Sequence, residues 1–214
     1  RSSLREAAGV MRIIGPHSMG VMAPHVRLNA TMAHTSVAPG RVAFVSQSDS
    51  LFTTVLDWGK ANGIGFSYVV SLGARQDVSF SSMLDYLSAD IHTKAILLYM
   101  ETIIDARSFM SAARAAAKIK PVLVLRPGAA IDHMLVQDAL TLPPPLSREK
   151  ITPSEIYDMA FQRAGMLRVR TIDALFHAAR TLSSGKVLRG DRLAIISNGT
   201  SAGVMAADAL LAGR

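Results

Sequence analysis

The 214 residues, half of them hydrophobic, suffice for one domain of ordinary size with pieces of others, and are too apolar for broad disorder. The absence of cysteine excludes disulfides, thiolate catalysis and cysteine-ligated zinc, and no uninterrupted run of about 18 apolar residues offers a membrane span. The net charge of +7 is spread along the chain, without a block of like charges or basic residues interleaved with aromatics, which argues against nucleic acid as a partner.

The first stretch, "MRIIGPHSMGVMAP", reads as the last strand and exit of an earlier domain, so residues 1–37 are expected to be a tail. It lacks the apolar core and cleavage site of a secretory signal, which is compatible with a cytoplasmic protein. From Arg41 onward, apolar runs rich in Val and Ile recur at near-regular spacing: "RVAFVSQ", "FSYVVSLG", "AILLYME" and "VLVLRPG". Each is followed by residues with helical period. Strand, helix, strand at this spacing predicts an α/β fold, an open parallel sheet with helices on both faces. Strands are expected near 42–46, 67–72, 95–100, 122–126 and 167–170.

The pattern breaks after Gly128. Residues 129–150, with Pro143, Pro144 and Pro145 in succession, read as an irregular linker. Thr152 followed by Pro153 predicts a helix start, and Gly165 its end. A further helix is expected to close at Gly185. The domain is thus expected to cover 38–186, and 187–214 to hold one strand, one glycine-bearing turn and one helix, the opening unit of another domain.

Two turns join a strand to a helix through small polar residues: "SQSDSL", with Ser46, Ser48, Asp49 and Ser50, and "SNGTSAG", with Asn198, Gly199, Thr200 and Ser201. Such helix starts hold oxyanions on backbone N–H groups, aided by the helix dipole. Ser48 as N-cap with Asp49 in the first turn is equally an ordinary helix start. Asp49 places a carboxylate where a phosphate would sit, which weakens the first turn as an anion site. Glu101 ends a central strand, where open α/β sheets keep their ligand crevice, as a positioning acid or as a capping residue. His133 falls in the linker and reads as a solvated residue; His177 reads as helix packing. The histidines show no metal-ligand spacing.

These segments, with "LNATMAH", "DVSFSSMLDYLSAD" and "AFQRAGMLRVR", together resemble the NDP-forming acyl-CoA synthetases, relatives of succinyl-CoA synthetase, from about Met11 to the end. "LDYLSAD", "AILLYMETIIDARSFMSAARAA" and "VLRGDRLAIISNG" are most similar to the branch fused to a GNAT domain, the bacterial protein lysine acetyltransferases. The resemblance implies a CoA-binding Rossmann domain followed by two flavodoxin-like domains. On that plan residues 1–37 belong to the first, 38–186 make the second, and 187–214 begin the third.

In active members of the family a histidine within an "SHTGALAGSD"-like segment is phosphorylated and swings between two helix N-termini. The resemblance places those helix starts at Ser46–Ser50 and Asn198–Gly203, the supporting acid at Glu101 and a CoA-side turn at Gly15, Pro16 and His17. Three departures stand out. Aligned without gaps from "IYDMAF", Leu146 takes the histidine position; Asp49 replaces the glycine of "SQSG"; and His17 replaces the asparagine of "GPN". The implied function is a synthetase-like domain without its phosphohistidine, regulatory or structural, within a lysine acetyltransferase. Coenzyme A or acetyl-CoA is then a ligand of the parent, with none expected on this fragment, and no metal. The expected partners are the remaining domains of the same chain, with homo-oligomers compatible. An active synthetase using His133, or a non-catalytic sensing or assembly module, are the alternatives.

Overall fold

The computed structural model describes residues 6, 8–128, 152–184, 190 and 192–212. Seven strands form one sheet: β1 (Gly20–Ala23), β2 (Leu28–Thr31), β3 (Pro39–Ser46), β4 (Phe66–Ser71), β5 (Ala95–Tyr99), β6 (Val122–Leu125) and β7 (Leu167–Val169), ordered β2-β1-β4-β3-β5-β6-β7. The five strands from β3 to β7 are parallel and fall where the apolar runs predict. Both faces of the sheet are covered, so β4 is buried at all six residues. That is why these strands read as continuous apolar runs rather than as an alternation.

Side chains of alternate strand residues enter two cores. On one face α1 (Asp49–Ala61) and α5 (Ile172–Ser183) bring Phe52, Leu56 and Leu175 against Phe44, Phe66 and Leu97. On the other, α2 (Phe80–Ala89), α3 (Ala106–Ile119) and α4 (Pro153–Ala164) bring Leu84, Phe109 and Phe161 against Val45, Val70 and Leu98. Each fully buried Leu or Phe side chain contributes about 1.5–3 kcal/mol. The helices begin on capping side chains, Ser48, Ser79, Asp105, Thr152 and Thr171, each accepting from a backbone N–H in the first turn. Thr152 and Glu155 complete a capping box, and Gly165 closes α4 with φ of 77°.

Two elements differ from the sequence expectation. Residues 20–31, expected as an earlier domain's tail, form β1 and β2, which add antiparallel to the open edge of β4. Their strands are four residues long and β2 is mostly exposed, so they carry no buried pattern to announce them. Near the other end, α6 (Thr200–Ala212) forms as expected, but residues 192–199 are not a strand. A strand needs a neighbour to satisfy its backbone groups, and these residues are all exposed. The linker 129–150, with Pro143 to Pro145, lies outside the described residues.

Candidate functional site

Parallel register sets the carboxyl ends of the strands level. Ser46 pairs with Ser71 on one side and with Tyr99 on the other. From β3 the chain crosses first to β4 and then to β5 on the opposite side, so the loops after β3 and β5 part company. That divergence is the topological switch point at which open α/β sheets form a crevice.

The turn after β3 is tightly wired. Buried Ser46 donates to the carbonyl of Ser48 (2.8 Å) and accepts from the Ser48 N–H (3.0 Å). Ser48 Oγ accepts from the Leu51 N–H at 3.3 Å and lies 3.0 Å from Ser50 Oγ. Asp49 leans across to β4, where its Oδ1 accepts from the buried Ser71 Oγ at 2.7 Å. The carboxylate is therefore held at the start of α1 by a hydroxyl from the neighbouring strand. The geometry is that of a capped helix start, with the Asp49 carboxylate as part of it.

The Glu101 loop is held from two directions. Gln47 Oε1 accepts from the N–H groups of Glu101 (2.7 Å) and Thr102 (3.2 Å), while the Gln47 N–H donates to the Tyr99 carbonyl. Arg75, from the β4–α2 loop, donates to the Thr102 carbonyl (2.5 Å) and to Thr102 Oγ1 (2.8 Å), with its guanidinium 5.7 Å from the centre of the Phe80 ring. Burial lowers the Arg75 pKa, an effect the Glu101 charge opposes. Burial, and then Glu101, raise that of the Tyr99 phenol. Glu101 itself is exposed, with its backbone N–H held by Gln47. Beside this loop a cavity of about 440 Å³ opens between the first turns of α2 and α3, lined by Arg75, Asp77, Ser82, Asp105 and Ser108.

The Gly15–Pro16–His17 turn reaches the same end of the sheet. The Pro16 carbonyl accepts from Ala74 and the Gly15 carbonyl from Gln76. Arg12 pairs with Asp77 at 2.9 Å, and Ser18 Oγ donates to the Ser71 carbonyl at 2.5 Å. Gly73 (φ 54°) makes this approach possible, since a Cβ there would lie 2.1 Å from the His17 carbonyl oxygen. Ser71 is thus a hub, with its hydroxyl on Asp49 and its carbonyl on Ser18.

Of the residues singled out in the sequence, the structure gathers Ser46, Ser48, Asp49, Ser50, Glu101 and the Gly15–His17 turn at the carboxyl ends of the strands. It does not gather the second turn: Asn198, Gly199, Thr200 and Ser201 are exposed, with Ser197 closing the local turn through the Gly199 backbone. Leu146 and His133 lie outside the described residues. His177 is exposed on α5 rather than packed, its neighbours Leu175 and Ala179 taking the core positions. Sequence reasoning missed Gln47, Ser71 and Arg75. Ser71 was visible as a polar residue ending an apolar strand, whereas the reach of Gln47 and Arg75 depends on strand order. Among the described residues, no cluster of His, Asp and Glu could hold a metal ion, and no helix is long and apolar enough to cross a membrane.

The succinyl-CoA ligase-like flavodoxin domain matches residues 39–182. The chain is 37% identical over 206 residues to the alpha subunit of the ADP-forming acetate–CoA ligase I of Pyrococcus furiosus, covering 93% of this chain and 42% of that subunit. It is 36% identical over 199 residues to the ADP-forming acetate–CoA ligase I of Archaeoglobus fulgidus, covering 28% of that protein. Among solved structures, a dinucleotide-forming acetyl-coenzyme A synthetase 1 of Ca. Korarchaeum cryptofilum, in complex with phosphate and ADP, superposes with a TM-score of 0.82 at 29% identity. That superposition covers 97% of this chain and 44% of the synthetase. The chain spans less than half the length of each of these proteins.

Proposed function

The chain belongs to the NDP-forming acyl-CoA synthetase family, as its succinyl-CoA ligase-like flavodoxin domain, and on that premise we propose that it is a phosphotransfer-silent member. In this reading it serves as a regulatory or structural part of a longer protein lysine acetyltransferase that uses acetyl-CoA. The observation that carries the proposal is Asp49, whose carboxylate stands at the start of α1 on the switch-point turn and is anchored there by Ser71. A phosphoryl group brought to that turn meets a fixed negative charge, and Leu146 at the aligned histidine position supplies nothing to phosphorylate.

Support for an acetyltransferase parent comes from the sequence resemblance to the GNAT-fused bacterial branch. The relatives named above are archaeal ligases. Their identity favours a second reading, an active ADP-forming acid–CoA ligase that uses another histidine. Coenzyme A or acetyl-CoA is a ligand of the parent in both. Within the described residues the Gly15–His17 turn engages its Gly15 and Pro16 carbonyls with Gln76 and Ala74, which fits a structural seam better than a cofactor pocket.

The test uses the full-length parent with two assays run side by side. The expected result is transfer of acetyl from acetyl-CoA to lysine in a protein substrate, without ADP release from acetate, CoA and ATP. Acetate-dependent ADP release, abolished in His133→Ala, would establish the ligase instead.

A further inference from the structure

On the outer face of α3, Arg107, Arg114 and Lys118 are all exposed, with Arg107 in the first turn beside the cavity described above. Their spacing of seven and four residues aligns them along one side of the helix. None forms a salt bridge among the described residues, Arg107 lying two residues beyond the capping Asp105. The helix itself, Ala106–Ile119, contains no acid. Between the cations the solvent face of α3 forms an open recess of about 640 Å³, lined by this helix alone and including Met110, Ser111 and Ala115. Next to α3, α4 leaves Ile156 55% and Met159 51% exposed, with Arg163 exposed on the same helix.

We propose that this face docks an acidic, amphipathic helix of a partner polypeptide. The small Ser111 and Ala115 permit close helix approach, the exposed Ile156 and Met159 of the neighbouring α4 offer the apolar part of a contact, and the cations favour carboxylates opposite. A second copy of this chain is disfavoured, because the same face would set cations against cations on a molecule already carrying +7. Nucleic acid fits less well. The recess has no aromatic side chain for a base to stack on, and exposed Ile and Met contribute nothing to phosphate binding.

The probe is a fluorescein-labelled helical peptide with glutamates along one face and leucines beside them, titrated with the full chain and followed by anisotropy. The controls are the same peptide with lysine for glutamate, a double-stranded RNA, and a peptide of residues 129–150. Saturable binding of the acidic peptide alone is expected, weakened by salt and at least about tenfold weaker in the folded Arg107→Glu/Arg114→Glu/Lys118→Glu variant. Circular dichroism verifies that this variant is folded. No saturable binding of the acidic peptide overturns the proposal. So do equal affinity in the charge-reversed variant, and tighter binding of the RNA or of the 129–150 peptide.

Discussion

Replacing Asp49 by glycine should make the switch-point turn an anion site. A phosphate charge about 4 Å from the carboxylate meets about 4 kcal/mol of repulsion at an effective dielectric of about 20. At an exposed turn in ordinary salt, roughly 1–2 kcal/mol of this survives. The helix dipole returns only about 0.3–1 kcal/mol, so in the unaltered protein repulsion wins. Asp49→Gly removes the charge and also frees the Ser71 hydroxyl, which now donates to Asp49, to face the ligand. The expected gain in phosphate affinity is about five- to thirtyfold. Asp49→Asn, which keeps the shape and can still accept from Ser71, should give a part of it. The assay is an amide NMR titration with inorganic phosphate, reading the N–H groups of residues 48–52. Loss of one hydrogen bond and one dipole contact costs about 1–2 kcal/mol of stability and leaves the domain folded. If the unaltered protein binds phosphate at this turn as tightly as both variants, the electrostatic reasoning is refuted.

Arg75→Met should release Thr102 from one of its two anchors, destabilising the domain by about 1–3 kcal/mol in chemical denaturation and speeding amide exchange at Glu101 and Thr102. Gly73→Ala should displace the Gly15–His17 turn, because the new Cβ meets two carbonyl oxygens at 2.1 and 2.3 Å in a left-handed backbone; a destabilisation of at least about 1–3 kcal/mol is expected, checked by thermal melting. Asp90 gives a pH dependence. Burial pushes its carboxyl up, but the donors from Thr93 and His92 outweigh this and hold it below its ordinary 3.8. A carboxyl depressed in the folded state stabilises above the unfolded value, and that contribution is lost as pH falls through the lower folded one. Stability should therefore drop between 3.8 and more acidic pH, and Asp90→Asn should flatten this part of the curve in denaturation measured at several pH values.

How far the sequence was legible depends on whether a feature is local. The five parallel strands announce themselves because burial on both faces leaves continuous runs such as "FSYVVS" in β4. The caps at Ser48 and Thr152 are equally local, a single side chain meeting a backbone N–H three residues on. The β1–β2 edge was illegible because the four residues Leu28–Thr31, three of them exposed, carry no periodicity, and their place depends on β4 having an open side. At the site, Asp49 could be recognised as a charge in the wrong place, but not its bond to Ser71, which lies 22 residues away and is set by the β3–β4 register. The same holds for Gln47 and Glu101, joined across 54 residues because β3 and β5 are neighbours. The residues 192–199 illustrate the converse, since a strand-like pattern without a partner strand remains outside any sheet.

Phosphohistidine is the species whose presence or absence decides whether this domain takes part in phosphoryl transfer. The full-length parent proposed above is incubated with magnesium ATP, and separately with acetyl phosphate and CoA, then digested under alkaline conditions that preserve phosphohistidine and analysed by mass spectrometry. The proposed loss of the relay at Asp49 and Leu146 predicts no phosphorylated histidine in either reaction. A phosphohistidine within this chain that disappears in His133→Ala would contradict it.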